Sequence, residues 1–351
     1  MLYATKNFRG PPGFTRFFET GDASFHFYAW YPCPADAKGR GNGGCERDCE
    51  HLSVRLVRWQ LIAVVDARWK FCPAFDIVDG SAGVSRARHV TALIGRAMSG
   101  MAQPQLWRLG RHLWSSPTLR RALDRCSLRV QPLRQKKQKS AAGDFFDRLR
   151  MPASLIPGHL GRDRRHARTV IALAHACQAG RADPREHFLP LESAVARLTD
   201  CVQFANTEPV ASPAGWGCWI PWERFGLELK EHPPARLHDS NLHFFAREQR
   251  LWTVRHGAVG GIVNCAGLRF PMVFPCESLR QFTGCRVRVC FDPLAEYITA
   301  TLVLPAAGRG YRAGHIIARH VPALEFASPI SAARRSLARI LRAGTWSSHR
   351  Q

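Results

Sequence analysis

The chain has 351 residues, 46% of them hydrophobic, which suits two or three domains with a sizeable core. Lys and Arg total 50 against 27 Asp and Glu, a formal charge of +23 that points to a polyanionic partner, nucleic acid first, although arginine-rich codon usage gives the same composition. No apolar run approaches the roughly 18 residues of a membrane span, and the opening MLYATKNFRGPPGF lacks the apolar centre of a secretory signal, so a cytoplasmic protein without membrane contact is expected.

GDASFHFYAWY, residues 21–31, alternates as a strand does, and the Gly-rich, charged stretch 34–51 reads as a loop. That loop carries Cys45, Cys49 and His51, with Cys33 just before it. Zinc is one reading of the four, but the Cys45–Cys49 spacing departs from the usual two-residue knuckle and no second pair follows, so a solvated loop is the expectation. The other cysteines sit mostly singly in apolar segments, and thiols are expected for a reducing compartment.

VRLVRWQLIAVVDARWKFCPAFDIVDG is two β-rich runs around DARW and predicts a hairpin central in a sheet. Over 85–101, Val90, Leu93, Ile94, Ala97 and Met98 recur at helical spacing. QLWRL (105–109) and LRVQP (128–132) read as strands with a helix at 119–126 between them, and 143–150 begins another helix. Residues 151–245 read as a helical connector whose Trp216, Trp219 and Trp222 pack a linker against the core. From 246 the texture changes to short alternating strands with Gly turns, as in a small β-barrel reaching 310, followed by a basic helical tail, 311–351.

The residues also carry a family likeness. GDASFHFYAWY with the hairpin after it, then LPLESAVARLTDCVQFAN, LWTVRHGAVGG and GCRVRVCFDPLAEYITATLVL, together resemble the catalytic core and C-terminal barrel of phage Mu-type DDE transposases and integrases, over about residues 20–320. The resemblance implies an α/β ribonuclease H-like core at 15–150, a mixed five-stranded sheet with helices, then the connector and an all-β barrel at 246–310. It also implies that the family's N-terminal site-specific DNA-binding domains are missing, as in a truncated polypeptide. The chemistry implied is DNA nicking and strand transfer by two Mg²⁺ or Mn²⁺ ions, roughly 3.5–4 Å apart and held by three carboxylates. Partners implied are transposon ends and target DNA, with a homo-oligomer assembled on them.

Asp22, in the Gly-Asp step, matches the first carboxylate and metal ligand; Asp66 matches the family's hairpin turn and is expected to shape it or pair with Arg68. The second acid should follow QLWRL, where this chain has Gly110, and the next acid, Asp124, falls within a helix. The third should stand at Ala142. Asp144, two residues on, is the candidate replacement, although that displacement rotates a side chain by more than half a turn around a helix. Two of three carboxylates are therefore missing, and a catalytically inactive DNA-binding descendant is the alternative to an impaired transposase. DNA contacts are expected from the basic run Arg134, Lys136, Lys137 and Lys139, and from Arg286 and Arg288, which alternate with valines and so share one strand face. His26, His159, His166, His175 and His315 show no metal-ligand spacing, and Gly257, Gly260 and Gly261 form no phosphate cradle.

Overall fold

The computed structural model describes residues 17–20, 25–34, 52–80, 86–100, 104, 106–126, 128–133, 140–161, 163–211, 217–231, 238–265, 268–295, 297–324 and 329–343. The first half is a mixed sheet with helices on both faces. Its elements run β1 (Phe17–Thr20), β2 (Phe25–Pro34), β3 (Leu52–Asp66), β4 (Ala74–Asp79), α1 (Arg86–Gly100), β5 (Leu106–Leu109), α2 (Arg111–Trp114), α3 (Pro117–Arg125), β6 (Arg129–Pro132) and α4 (Ala141–Ala153). The long strand β3 organises the sheet. Its first ten residues pair antiparallel with β2, from Leu52↔Pro34 to Leu61↔Phe25. β4 pairs along its other edge, and the last two residues, Val65 and Asp66, meet Glu19 and Phe18 of β1. The β3–β4 turn occupies the β4 edge at Asp66, where Asp66 N donates to Phe71 O, so β1 and β2 share one edge of β3. β5 is parallel to β1 and β6 parallel to β5. Across the sheet the order is thus β4, β3, β1 with β2, β5, β6, with the first three antiparallel and the last two parallel to β1.

Alternation of side chains along β3 sends its residues to two cores. Ile62 and Val64, with Phe18 of β1, face α1 and α3 through Leu93, Ile94, Leu119 and Leu123. Val57, Trp59 and Leu61, with Phe25 and Phe27 of β2, face the other way onto Phe145, Phe146 and Leu149 of α4. The apolar positions of α1 that recur at helical spacing are all buried.

After α4 come α5 (Arg164–Gln178), α6 (Pro184–His187), α7 (Leu191–Thr207), the two-residue strands β7 (Val210–Ala211) and β8 (Cys218–Trp219), and α8 (Pro221–Glu231). α7 is part of the main core rather than a spacer: Leu191, Ala194, Val195 and Leu198 are fully buried against the β2–β3 face. Trp219 packs edge-on against Trp69 (5.2 Å) and Trp222 against Phe71 (5.5 Å), which fastens this segment onto the β3–β4 turn.

The last third holds β9 (Glu248–Thr253), β10 (Ala258–Cys265), β11 (Leu268–Pro275), β12 (Arg286–Phe291), β13 (Thr299–Val303), β14 (Ile316–Pro322) and α9 (Pro329–Ala343). β9 turns into β10 through His256 and Gly257, both at positive φ, with Arg255 and Ala258 exchanging backbone hydrogen bonds. The strands form a four-stranded antiparallel sheet, β14-β13-β12-β9, and a separate β10-β11 hairpin. The hairpin meets the end of β14 only at the bridge Val273↔Leu324, and the β13–β14 register is shifted, so the described strands do not close the expected barrel. Nor does the β region stop at 310, because β14 and α9 fall in the stretch read as a basic tail. α9 buries Leu337, Ala338 and Leu341, and its Arg334, 1% exposed, donates to the carbonyls of Pro293 and Ala295. The stretch reads as a basic helical tail because arginines punctuate it; its apolar side packs instead onto α7, β2 and β11 in the main core.

A buried charged cluster joins the two halves. Arg247 Nη2 donates to Asp76 Oδ2 of β4 (2.7 Å), its Nη1 donates to His89 Nδ1 of α1 (2.8 Å), and its Nε lies 3.0 Å from Asp292 Oδ1. Arg96 also reaches Asp76 at 2.7 Å.

Candidate functional site

The end of β1 and the segment after β5 come together as the parallel register requires. Thr20 faces Leu109, and Gly110 N donates to Thr20 O at 3.0 Å. Gly110 is buried and its carbonyl accepts from Leu113 N and Trp114 N, which starts α2. The position expected to hold the second carboxylate is therefore a helix start without a side chain. Asp22 lies outside the described residues.

α4 brings its N-terminus to the same sheet. Ser140 caps it by accepting from Gly143 N at 3.0 Å. The unsatisfied amides of Ala141 and Ala142 both donate to Glu19 Oε2 of β1, at 2.6 and 3.4 Å, and Glu19 Oε1 is paired with Arg108 of β5 at 3.3 Å. A carboxylate at the positive end of a helix is favourable twice over, through hydrogen bonds and through the helix dipole. Ala142, where the third acid was expected, has no exposed surface. Glu19 was not among the residues singled out from the sequence. Its one signal is an acid set in the apolar strand FFET, three residues before Asp22.

Replacing Glu19 with alanine removes the carboxylate that meets Arg108 and the acceptor of the Ala141 and Ala142 amides at the start of α4. We expect a loss of about 2–3 kcal/mol of unfolding free energy, with Glu19→Gln losing less, read by urea denaturation. A Glu19→Ala protein within about 0.5 kcal/mol of the parent would show that the contact does not hold α4 in place.

Asp144 stands in the first turn of α4, and its Oδ2 pairs with Lys70 Nζ at 3.1 Å. Lys70 sits on the β3–β4 turn at positive φ, and its carbonyl accepts from Arg148 Nη2, also of α4. These contacts tie the helix to the turn. Asp66 shapes that turn, its Oδ1 accepting from Arg68 N (3.0 Å) and Trp69 N (2.7 Å), while the Arg68 guanidinium pairs instead with Glu228 of α8. Asp124 is exposed on α3.

Arg134, Lys136, Lys137 and Lys139 lie outside the described residues, as do Cys45, Cys49 and His51; Cys33 falls in β2. Cys72, Cys126, Cys177, Cys201, Cys218, Cys265, Cys276, Cys285 and Cys290 are free thiols. Among the described residues no three His, Cys, Asp or Glu side chains gather as a metal-binding group, and no helix is long and apolar enough to cross a membrane. His159 and His166 are neighbours, but His166 Nε2 bonds to the His159 carbonyl, not to its ring. The His159 ring stacks on Phe25 at 4.2 Å, and burial, with the charges of His166 and Arg150, brings its pKa down to about 4.

Arg286 and Arg288 are on one face of β12, opposite Thr253 and Leu251 of β9, with Val287 and Val289 buried beneath. Arg286 is exposed and Arg288 half-buried, and neither has a carboxylate at ion-pair distance among the described residues. No known protein-family model matches the chain, and no curated protein matches it significantly.

Proposed function

We propose that this chain is a DNA-binding protein descended from a phage Mu-type transposase or integrase, with a ribonuclease H-like core in which metal-dependent nicking and strand transfer are impaired. The observation that carries the reading is the sheet: three antiparallel strands, then two strands parallel to the first, each followed by a helix, with the end of β1 beside the start of α2 and the N-terminus of α4. The resemblance implies a mixed sheet with helices, in five strands where this sheet has six, and the shared order of strands and helices supports the reading. The charge of +23 and the outward Arg286 and Arg288 supply the attraction for a phosphate backbone.

Among the described residues the donor set does not fit a pair of Mg²⁺ or Mn²⁺ ions. Such hard cations need several oxygen ligands. Gly110 and Ala142 offer none, both oxygens of Glu19 are engaged by α4 and Arg108, and Asp144 is held by Lys70. No catalytic step is therefore assigned, and the inactive DNA-binding descendant is favoured over an active enzyme working from Asp22 and Asp144.

The test is duplex binding across a salt series, beside nicking of supercoiled plasmid with Mg²⁺ or Mn²⁺. Expected are affinity falling linearly with the logarithm of salt concentration, by several counterions, and no nicking. Metal-dependent nicking that Asp22→Ala abolishes would restore the enzymatic reading, and absence of duplex binding would overturn the DNA-binding one.

A further inference from the structure

α5 buries Val170, Ala174 and Cys177 against Tyr28 of β2 and Leu56 of β3, and turns the rest of its surface outward. Helical spacing places Arg164, Arg168 and His175 in one exposed row with Arg165 beside it, and Arg181 is exposed just after the helix. Arg58 projects from β3 on the same strand face as Leu56, two residues away.

Like Arg286 and Arg288, these arginines differ from the ion-paired ones. Arg68, Arg88, Arg96, Arg108, Arg247 and Arg250 each meet a carboxylate within 3.3 Å. Arg58, Arg164, Arg165, Arg168 and Arg181 meet none at ion-pair distance among the described residues. The acids nearest in the chain, Asp163 and Asp183, are used as helix caps, accepting from the backbone amides of Arg165 and Arg185. Like charges at i and i+4, and two arginines in the first turn at the positive end of a helix dipole, are both destabilising arrangements. An external polyanion relieves both.

The row is also well placed. The segment leading into α5 runs along β2, with Tyr28 N donating to Gly158 O and Leu160 N to His26 O, so the arginine-bearing end of α5 lies at the start of β2. At about 1.5 Å per residue, Arg164 to His175 spans roughly 16 Å, several phosphates of one DNA strand.

We infer that the outer face of α5, with Arg58 and Arg181, is a contact surface for the sugar-phosphate backbone of duplex DNA, distinct from the arginines of β12. The inference rests on the DNA-binding reading above. It is tested in the full chain with Arg164, Arg165 and Arg168 all changed to Gln, and with a control that changes Arg120, Arg121 and Arg125 of α3 to Gln for the same loss of charge. Binding to a short random-sequence duplex is followed by fluorescence anisotropy over a salt series, and thermal unfolding is followed in parallel.

The α5 variant is expected to unfold at the same temperature or higher, since positive charge leaves the positive end of a helix, and its salt slope is expected to fall by about 2–3. The α3 control should keep the parent slope. An unchanged slope in the α5 variant, or an equal fall in the control, overturns the inference and leaves the DNA-binding reading standing. A parent chain that binds no duplex overturns that reading first. Arginine-dependent binding to phosphatidylserine vesicles, with none to duplex, overturns both.

Discussion

Changing Arg247 to Ala is expected to lower the unfolding free energy by about 3–5 kcal/mol, the cost of leaving a buried charge without its partner. Arg247 is 4% exposed and Asp76 is 2% exposed. Burial alone would raise the Asp76 carboxyl, but the guanidiniums of Arg247 and Arg96 outweigh it and hold the group below the usual carboxylate range. Burial likewise works against the Arg247 charge, and Asp292 and Asp76 more than compensate. Removing Arg247 therefore leaves Asp76 with Arg96 as its one ion-pair partner among the described residues and opens the junction between β4, α1 and β9 at once. A lowered carboxylate pKa stabilises the fold above the unfolded value, near 3.9, and that contribution is lost as pH falls through the lower folded value. The penalty should accordingly be full at neutral pH and shrink in strong acid. Urea midpoints for Arg247→Ala, Asp76→Ala and the double variant would measure the coupling. A single Arg247 variant within about 1 kcal/mol of the parent would mean the cluster does not join the two halves.

The second large effect is acid sensitivity set by histidines. His159 is 3% exposed and stays neutral down to about pH 4, whereas an unfolded histidine takes its proton near 6.5. The folded pKa is the lower one, so protonation favours the unfolded chain. His159's contribution is then undiminished above about pH 6.5, falls as pH drops from there to about 4, and changes no further below. At 1.36 kcal/mol per unit the loss is about 3 kcal/mol. His89 acts in the same direction. Burial and the neighbouring Arg247 bring its pKa to about 4, and its Nδ1 accepts a hydrogen bond from Arg247, which only the neutral ring can do. Changing His159 to Phe keeps a ring against Phe25 and removes one of the two protons, so the drop in stability between pH 6.5 and 4 should shrink by about half. Equal pH profiles for parent and variant would refute the assignment to His159.

Local pattern made much of the first half of the molecule readable. The run around DARW folds as β3 and β4, the apolar spacing of 85–101 gives α1, and QLWRL and LRVQP give β5 and β6, because each of these segments is recognised by a period or a turn within a few residues. The chain-order motifs placed Gly110 and Ala142 where acids were expected, and the structure puts Gly110 against β1 and Ala142 in the core. Asp144 could be nominated from the sequence, but its partner Lys70, on a turn 74 residues away, could not.

The sequence by itself determined most strand and helix types of the first half, the shared strand face of Arg286 and Arg288 and the strong positive charge, since these depend on spacing and composition alone. Tertiary structure decided that Glu19 caps α4 across 122 residues, that Arg247 holds Asp76 across 171, that the strands after 246 stay open, and that α9 is packed rather than free. Those outcomes depend on which surfaces meet once the chain has folded, and a buried charge can find its partner from any distance along the sequence because the cost of leaving it unpaired depends on its surroundings, not on chain separation.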